Sequence, residues 1–257
     1  MRWVSRPAQR PRLSGAPPSP NGASSFHLWW VTAHRGPFRQ VSATLEVVRA
    51  PSVPRLYFWA LQVSFVDGDD GRDLGAAHTG LQWHPAAPKG AVNWGGYSSA
   101  GGELPGSRSS LCPVDGPNTF HYPWEPHRKY VFKIWPSSPG QWRSEVTDLT
   151  SATTTLVRDL YVPATGLANP VVWSEVFALC DDPCTEARWS GLRATDLWGG
   201  SEDVTACKPT YQSHEDGGCA NTESLAGPGY FAQFTGLPKA RPPAPELLSM
   251  VPTGPQA

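Results

Sequence analysis

The chain has no run approaching the roughly 20 apolar residues that a membrane-crossing helix needs. Its Arg- and Pro-rich start, "MRWVSRPAQRPRLSGAPPSPNG", lacks the apolar stretch of a signal peptide. Net charge is also scarce: the formal value is −1 over 257 residues, so no long-range field recruits nucleic acid or an anionic membrane, and neither is an expected partner. Nowhere do apolar residues recur at i, i+3, i+4 and i+7 over three turns, which excludes a helical bundle. There is no internal repeat, no glycine-rich phosphate loop, no H-E-x-x-H pair and no dinucleotide fingerprint. The segment "GYSSAG" misses the G-x-S-x-G nucleophile elbow by one residue. No cofactor is expected.

Proline and glycine, in contrast, are abundant, with 28 and 25 residues, and the apolar content of 39% against 17% charged is too high for a disordered chain. The apolar runs show period two. "VSATLEVV" puts Val41, Ala43, Leu45 and Val47 on one face, "LYFWALQVSF" aligns Tyr57, Trp59, Leu61, Val63 and Phe65, and "YVFKIW" and "VVWSEVFAL" alternate likewise. Turn signals such as "VDGDDGRD" and "PATGLANP" separate these runs. Short strands divided by Gly/Pro turns predict an all-β protein, an antiparallel β-sandwich of jelly-roll or lectin-like type. One sandwich domain is expected over residues 25–236, between a disordered or processed leader (1–24) and a Pro-rich disordered tail (237–257).

Two segments carry the candidate ligand-binding residues. In "LQWHPAAPKGAVNWGGYSS", Trp83, His84, Asn93, Trp94 and Tyr97 lie among Pro85, Pro88, Gly90, Gly95 and Gly96, which predict a loop rather than a strand. Such a loop either meets a ligand or plugs one end of the sandwich. In "VVWSEVFAL", alternation puts Trp173, Glu175 and Phe177 on the face opposite Val172, Ser174 and Val176. A carboxylate between two large rings suits a sugar, whose flat face stacks while its hydroxyls donate to the acid. The plainer alternative is a solvated Glu175 paired with a nearby Arg188.

Other polar clusters offer less. The turn Asp67 to Asp73 fails the EF-hand pattern, since Gly71 stands fifth and Arg72 sixth, so no metal site is expected there. Cys180 and Cys184 in "CDDPC", and Cys207 and Cys219 around "KPTYQSHEDGG", are spaced for two local disulfides, leaving Cys112 unpaired; the same spacings match no compact zinc site. Bridges would favour an extracellular or cell-surface location. His214, Glu215 and Asp216, in the segment between the last two cysteines, are further polar candidates.

Taken together, "FWALQVSF", "GAAHTGLQWHP", "NWGGYSS", "VVWSEVFALCDDP" and "YQSHEDGGCANT" give the stretch from Ser25 to Gly236 a resemblance to bacterial proteins of the domain of unknown function 3472 family. The resemblance implies a β-rich, often exported domain and assigns no residue a role. The function expected from the residues is non-catalytic binding of a polysaccharide or other glycan through aromatic rings. Two rivals stand beside it. One is a glycan hydrolase or lyase with Glu175 as acid or base and Glu145, Asp148 or Asp181 as a second carboxylate. The other is a structural protein-interaction domain.

Overall fold

A strand that alternates large apolar and polar residues buries one face and leaves the other free, and this chain repeats that arrangement along most of its length. The structure is a computed structural model describing residues 14–34, 36–68, 71–107, 109–111, 118–212, 218–219, 221–236 and 246–252, without the side chains of 88 and 89. Its strands are β1 (Ser24–Trp30), β2 (Phe38–Arg49), β3 (Tyr57–Asp67), β4 (Arg72–His84), β5 (Ala87–Ser98), β6 (Thr119–His121), β7 (Lys129–Ser138) and β8 (Gln141–Asp148). They continue as β9 (Thr153–Tyr161), β10 (Gly166–Val176), β11 (Glu186–Asp196), β12 (Ser201–Asp203), β13 (Ala206–Tyr211), β14 (Glu223–Gly227), β15 (Tyr230–Phe234) and β16 (Leu248–Ser249). Among the described residues there is no helix.

The strands form two layers. One runs β13-β1-β10-β3-β4-β5-β6 and the other β14-β15-β11-β2-β7-β8-β9; they are continuous through a single pairing, Leu167 of β10 opposite Phe38 of β2. All pairings between these strands are antiparallel. The expected antiparallel sandwich is therefore present, and the inward residues of β2 and β3 are the period-two sets read from the sequence: Val41, Ala43, Leu45 and Val47, then Tyr57, Trp59, Leu61, Val63 and Phe65, all buried in one core.

Aromatic rings and a few buried polar groups join the layers. Phe65 of β3 packs 6.2 Å from Trp94 of β5 and 5.6 Å from Trp142 of β8. Gln233 of β15, 1% exposed, accepts from Ser174 Oγ and Trp189 Nε1 and donates to the Phe26 carbonyl. Ser144 Oγ donates to Thr79 Oγ1, which donates to the Asn93 carbonyl. These bonds satisfy groups that would otherwise be costly to bury.

Two expectations need correction. Residues 81–99 are not a loop: β4 and β5 form a long hairpin that turns at Pro85 and Ala86. The glycines taken for breakers serve close approach instead, since a Cβ on Gly96 would lie 2.0 Å from the Ala76 carbonyl oxygen. The disulfide joins Cys180 to Cys219, 39 residues apart, rather than Cys180 to Cys184 and Cys207 to Cys219. Cys184 and Cys207 are free thiols, Cys207 being fixed by strand alternation inside the core, and Cys112 lies outside the described residues. Parts of both ends lie against the sandwich. Gly15 donates to Asp181 and accepts from the Cys180 amide, and β16 pairs with β13.

Gln233→Ala should destabilise the fold by about 2–4 kcal/mol in urea unfolding, because it orphans three buried partners at once. Peptide mapping of the unreduced protein should recover a fragment linking Cys180 to Cys219 and none linking Cys207 to Cys219.

Candidate functional site

The outward face of the first layer gathers aromatic rings, two imidazoles, side-chain amides and a carboxylate. Cross-strand register places its residues in rows. Ser25, Glu175, Phe58, Gln82 and Ala91 form one row across β1, β10, β3, β4 and β5; His27, Trp173, Ala60, Gly80 and Asn93 form the next; Trp29, Val171, Gln62, His78 and Gly95 form a third. Phe58, Ala60, Val171 and Trp173 make a small apolar cluster of their own, with Trp29 packed against it, separate from the inter-sheet core.

Trp173 is the hub of this face. Its ring lies 5.0 Å from Phe58, 5.3 Å from His78 and 6.2 Å from His27, and its indole N–H donates to Gln62 Oε1 at 3.1 Å. Phe58 and His78 meet edge to face at 5.4 Å. Beside them His27 stacks on Trp29, whose indole N–H donates to Thr210. Burial among these rings lowers the pKa of both His27 and His78 from 6.5 to about 4, because a charged imidazolium is poorly solvated there.

Glu175 sits partly buried one row away. Burial pushes its carboxyl above the ordinary range, and a hydrogen bond from Ser25 Oγ to Oε1, at 3.3 Å, partly offsets that rise. Gln82, 7% exposed, and Asn93, 2% exposed, share the face, and the side-chain carbonyl oxygen of each is buried without a hydrogen-bond partner. Amide oxygens in that condition are uncommon in folded proteins and call for a local explanation.

Of the residues singled out from the sequence, Asn93, Tyr97, Trp173 and Glu175 share this face. Tyr97 is exposed, but Trp173 is only 6% exposed and is a wall of packed rings rather than an open stacking surface. Trp94 points the other way. It is wholly buried in the main core with its indole N–H on the Trp142 carbonyl, so it cannot meet a ligand. Trp83 packs against the same core and donates to the Val53 carbonyl, while His84 accepts from the Ala86 amide at the hairpin tip.

Phe177 falls one residue beyond the end of β10, with its amide bonded to the Leu56 carbonyl and its side chain partly exposed. The carboxylates considered as partners of Glu175 are engaged elsewhere: Glu145 with Lys133, Asp148 with Arg128 and Asp181 with the Gly15 amide. Arg188 pairs with Glu186, not Glu175. At the acidic turn, Asp67 pairs with Arg72 and Asp73 accepts from the Gly75 amide. Among the described residues no group of three or more His, Cys, Asp or Glu side chains gathers to hold a metal. His214, Glu215 and Asp216 lie outside the described residues.

The sequence reading missed Ser25, His27, Phe58, Gln62, His78 and Gln82. The period-two signal was present in "SSFHLWW" and "AHTGLQW", but the first adjoins the Pro-rich start and the second runs into the supposed loop.

No protein-family model matches the chain, and no curated protein matches it. Among solved structures it is similar to scytalido-glutamic peptidase bound to a peptide-based transition-state analogue, with 10% identity, 86% of this chain and 98% of that chain covered, and a TM-score of 0.45. It is similar at 11% identity, with the same coverage and a TM-score of 0.43, to SCP-B, a member of the eqolisin peptidase family in complex with a tripeptide. An alginate lyase from Pseudomonas aeruginosa follows at 13% identity, covering 62% of this chain and 64% of that one, with a TM-score of 0.18.

The two histidines make a signed prediction. Their folded-state pKa values lie below the unfolded one, so their contribution to stability is present above pH 6.5 and is lost as the pH falls through about 4. Urea midpoints measured across that window should fall with acidification, and His27→Leu with His78→Leu should flatten the slope. Glu175 acts with the opposite sign. Its raised pKa means that Glu175→Gln should be the more stable protein at neutral pH, with the advantage shrinking as the wild-type carboxyl becomes protonated.

Proposed function

We propose that the outward face of the first layer hydrolyses an acyl bond in an extended polypeptide, with Glu175 as general base and acid and Gln82 as the donor to the developing oxyanion. The observation that carries this reading is the row Glu175, Phe58, Gln82. The backbones of β10 and β4 flank β3 at about twice the strand spacing, roughly 10 Å, which puts two long polar side chains on one face at a separation suited to acting together on one carbonyl group and one water. An ionised Glu175 takes a proton from the water as it attacks the carbonyl carbon; the Gln82 amide N–H groups stabilise the oxyanion; the protonated Glu175 then gives its proton to the leaving amine. A carboxyl held above its ordinary pKa by burial is suited to carry a proton both ways.

Glycosyl transfer fits less well. It ordinarily uses two carboxylates flanking the bond, and the described cross-strand neighbours of Glu175 on this face bring Ser25, Phe58 and Gln82 but no second acid. Non-catalytic glycan binding remains the second reading, supported by Tyr97, 61% exposed on the same face, and by the partly exposed Trp29. The disulfide fits work in an oxidising compartment outside the cytosol.

Denatured casein and a panel of soluble polysaccharides, incubated with the protein from pH 3 to 7, separate the two readings. New amino termini from casein are expected, reduced at least about 100-fold in Glu175→Gln and by a similar factor in Gln82→Ala. Saturable tryptophan-fluorescence changes with a polysaccharide, without cleavage of any substrate, would instead establish the binding reading.

A further inference from the structure

The contacts of Ser25 go beyond one hydrogen bond to Glu175. Ser25 is the residue directly opposite Glu175 in the β1–β10 register, and its hydroxyl donates to Oε1 at 3.3 Å. Its backbone is held on both sides by a single residue. The Ser25 amide donates to Gln212 Oε1 at 2.9 Å, and the Gln212 amide donates to the Ser25 carbonyl at 2.8 Å. The preceding residue is fastened too, since Ser24 Oγ accepts from the amide of Cys219, the cysteine bridged to Cys180 four residues beyond the end of β10. Gln212 therefore fastens Ser25, and Cys219 links Ser24 on β1 to the chain that follows β10.

We propose that Ser25 is the positioning residue for Glu175: held by Gln212, its hydroxyl aims the carboxyl into the face and stabilises its ionised form. The inference rests on the hydrolase reading for its catalytic consequence, but the positioning itself does not. The groups packed around the carboxyl leave this role to Ser25. β3 presents Phe58 opposite Glu175; on β1 the titratable neighbour is His27, whose pKa burial lowers to about 4, so that it is neutral over most of the acid range; on β4 the same row carries Gln82. Among the described residues, Ser25 supplies the side-chain hydrogen bond to this carboxyl, and that bond works against the rise caused by burial. A hydroxyl that donates to a carboxylate favours the charged form, so its removal must raise the proton affinity of Glu175.

The test is a carbon-13 carboxyl titration of the full chain labelled at glutamate, with the Glu175 resonance assigned by its disappearance in Glu175→Gln. In Ser25→Ala the proton affinity of Glu175 should rise about threefold to tenfold, and Ser25→Thr, which keeps the hydroxyl, should restore most of it. Gln212→Leu should give a smaller rise, because it releases the Ser25 amide while leaving the hydroxyl, and it serves as the second variant if Ser25→Ala does not fold. With casein as substrate, the acid limb of kcat/KM should move with the titration, and kcat should fall more than KM rises. A Glu175 titration unchanged in a folded Ser25→Ala, or Ser25→Thr behaving like Ser25→Ala, would overturn the assignment. If the wild-type protein cleaves no casein, the hydrolase reading fails on its own and the titration still decides the role of Ser25.

Discussion

Packing of large aromatic side chains between the two layers is the constraint from which the rest follows. Trp59, Trp94 and Trp189 are wholly buried, and Trp142 nearly so, each on a strand whose neighbouring residues must by alternation face outward. Once Trp59 points in, Phe58 and Ala60 point out; once Leu81 points in, Gly80 and Gln82 point out. The candidate site is thus the reverse side of the core. A one-residue slip of β3 or β4 would exchange the two sets, and the cost of exposing the tryptophans protects the site's register.

The same geometry accounts for the chemistry of the outward face. Strand pairing sets Trp173, Phe58 and His78 so close that they shield one another, which makes this part of the surface behave like a second, small interior. Charged groups fare poorly there. The two imidazoles lose protons more readily than usual, while the Glu175 carboxyl keeps its proton longer, from one physical cause acting on groups of opposite charge type. Gln82 and Asn93 are amides with unpartnered oxygens in the same surroundings, and the position opposite Asn93 on β4 is Gly80, where a Cβ would fall 1.9 Å from the Trp59 carbonyl oxygen. The close approach of β4 to β3 that this permits brings Gln82 into the row with Glu175.

Strand existence and facing were legible in the sequence where alternation was clean. β2 and β3 carry apolar residues at every second position and β10 carries Val172 and Val176, and all of these lie in the core between the layers. The β4–β5 hairpin was not legible because Pro85, Pro88, Gly90, Gly95 and Gly96 look like turn residues locally, whereas the three glycines stand where a neighbouring residue comes too close for a side chain, which sequence spacing does not reveal. The disulfide was misplaced for a related reason. Cys180 and Cys184 are close in sequence, but the segment that reaches Cys180 after β13 carries Cys219. Glu175 itself stood out as a carboxylate beside an aromatic on a strand; its companions Ser25 and Gln82 did not, since only the order of strands brings residues 25, 82 and 175 into one row.

That row also bears on the proposed use of the aromatic residues. A sugar-binding face keeps its rings open so that a pyranose can lie flat against them, whereas here the central ring is enclosed by Phe58, His27 and His78 and its N–H is already bonded to Gln62. Rings packed in this way exclude water and raise the energetic weight of each polar group beside them. The polar groups so placed are one carboxyl, two amides with unpartnered oxygens and the serine that restrains the carboxyl. An enclosed wall with a single restrained acid at its edge is better matched to proton transfer than to stacking, and the clamp from Gln212 and Cys219 places a further constraint on the strand pair that carries that acid.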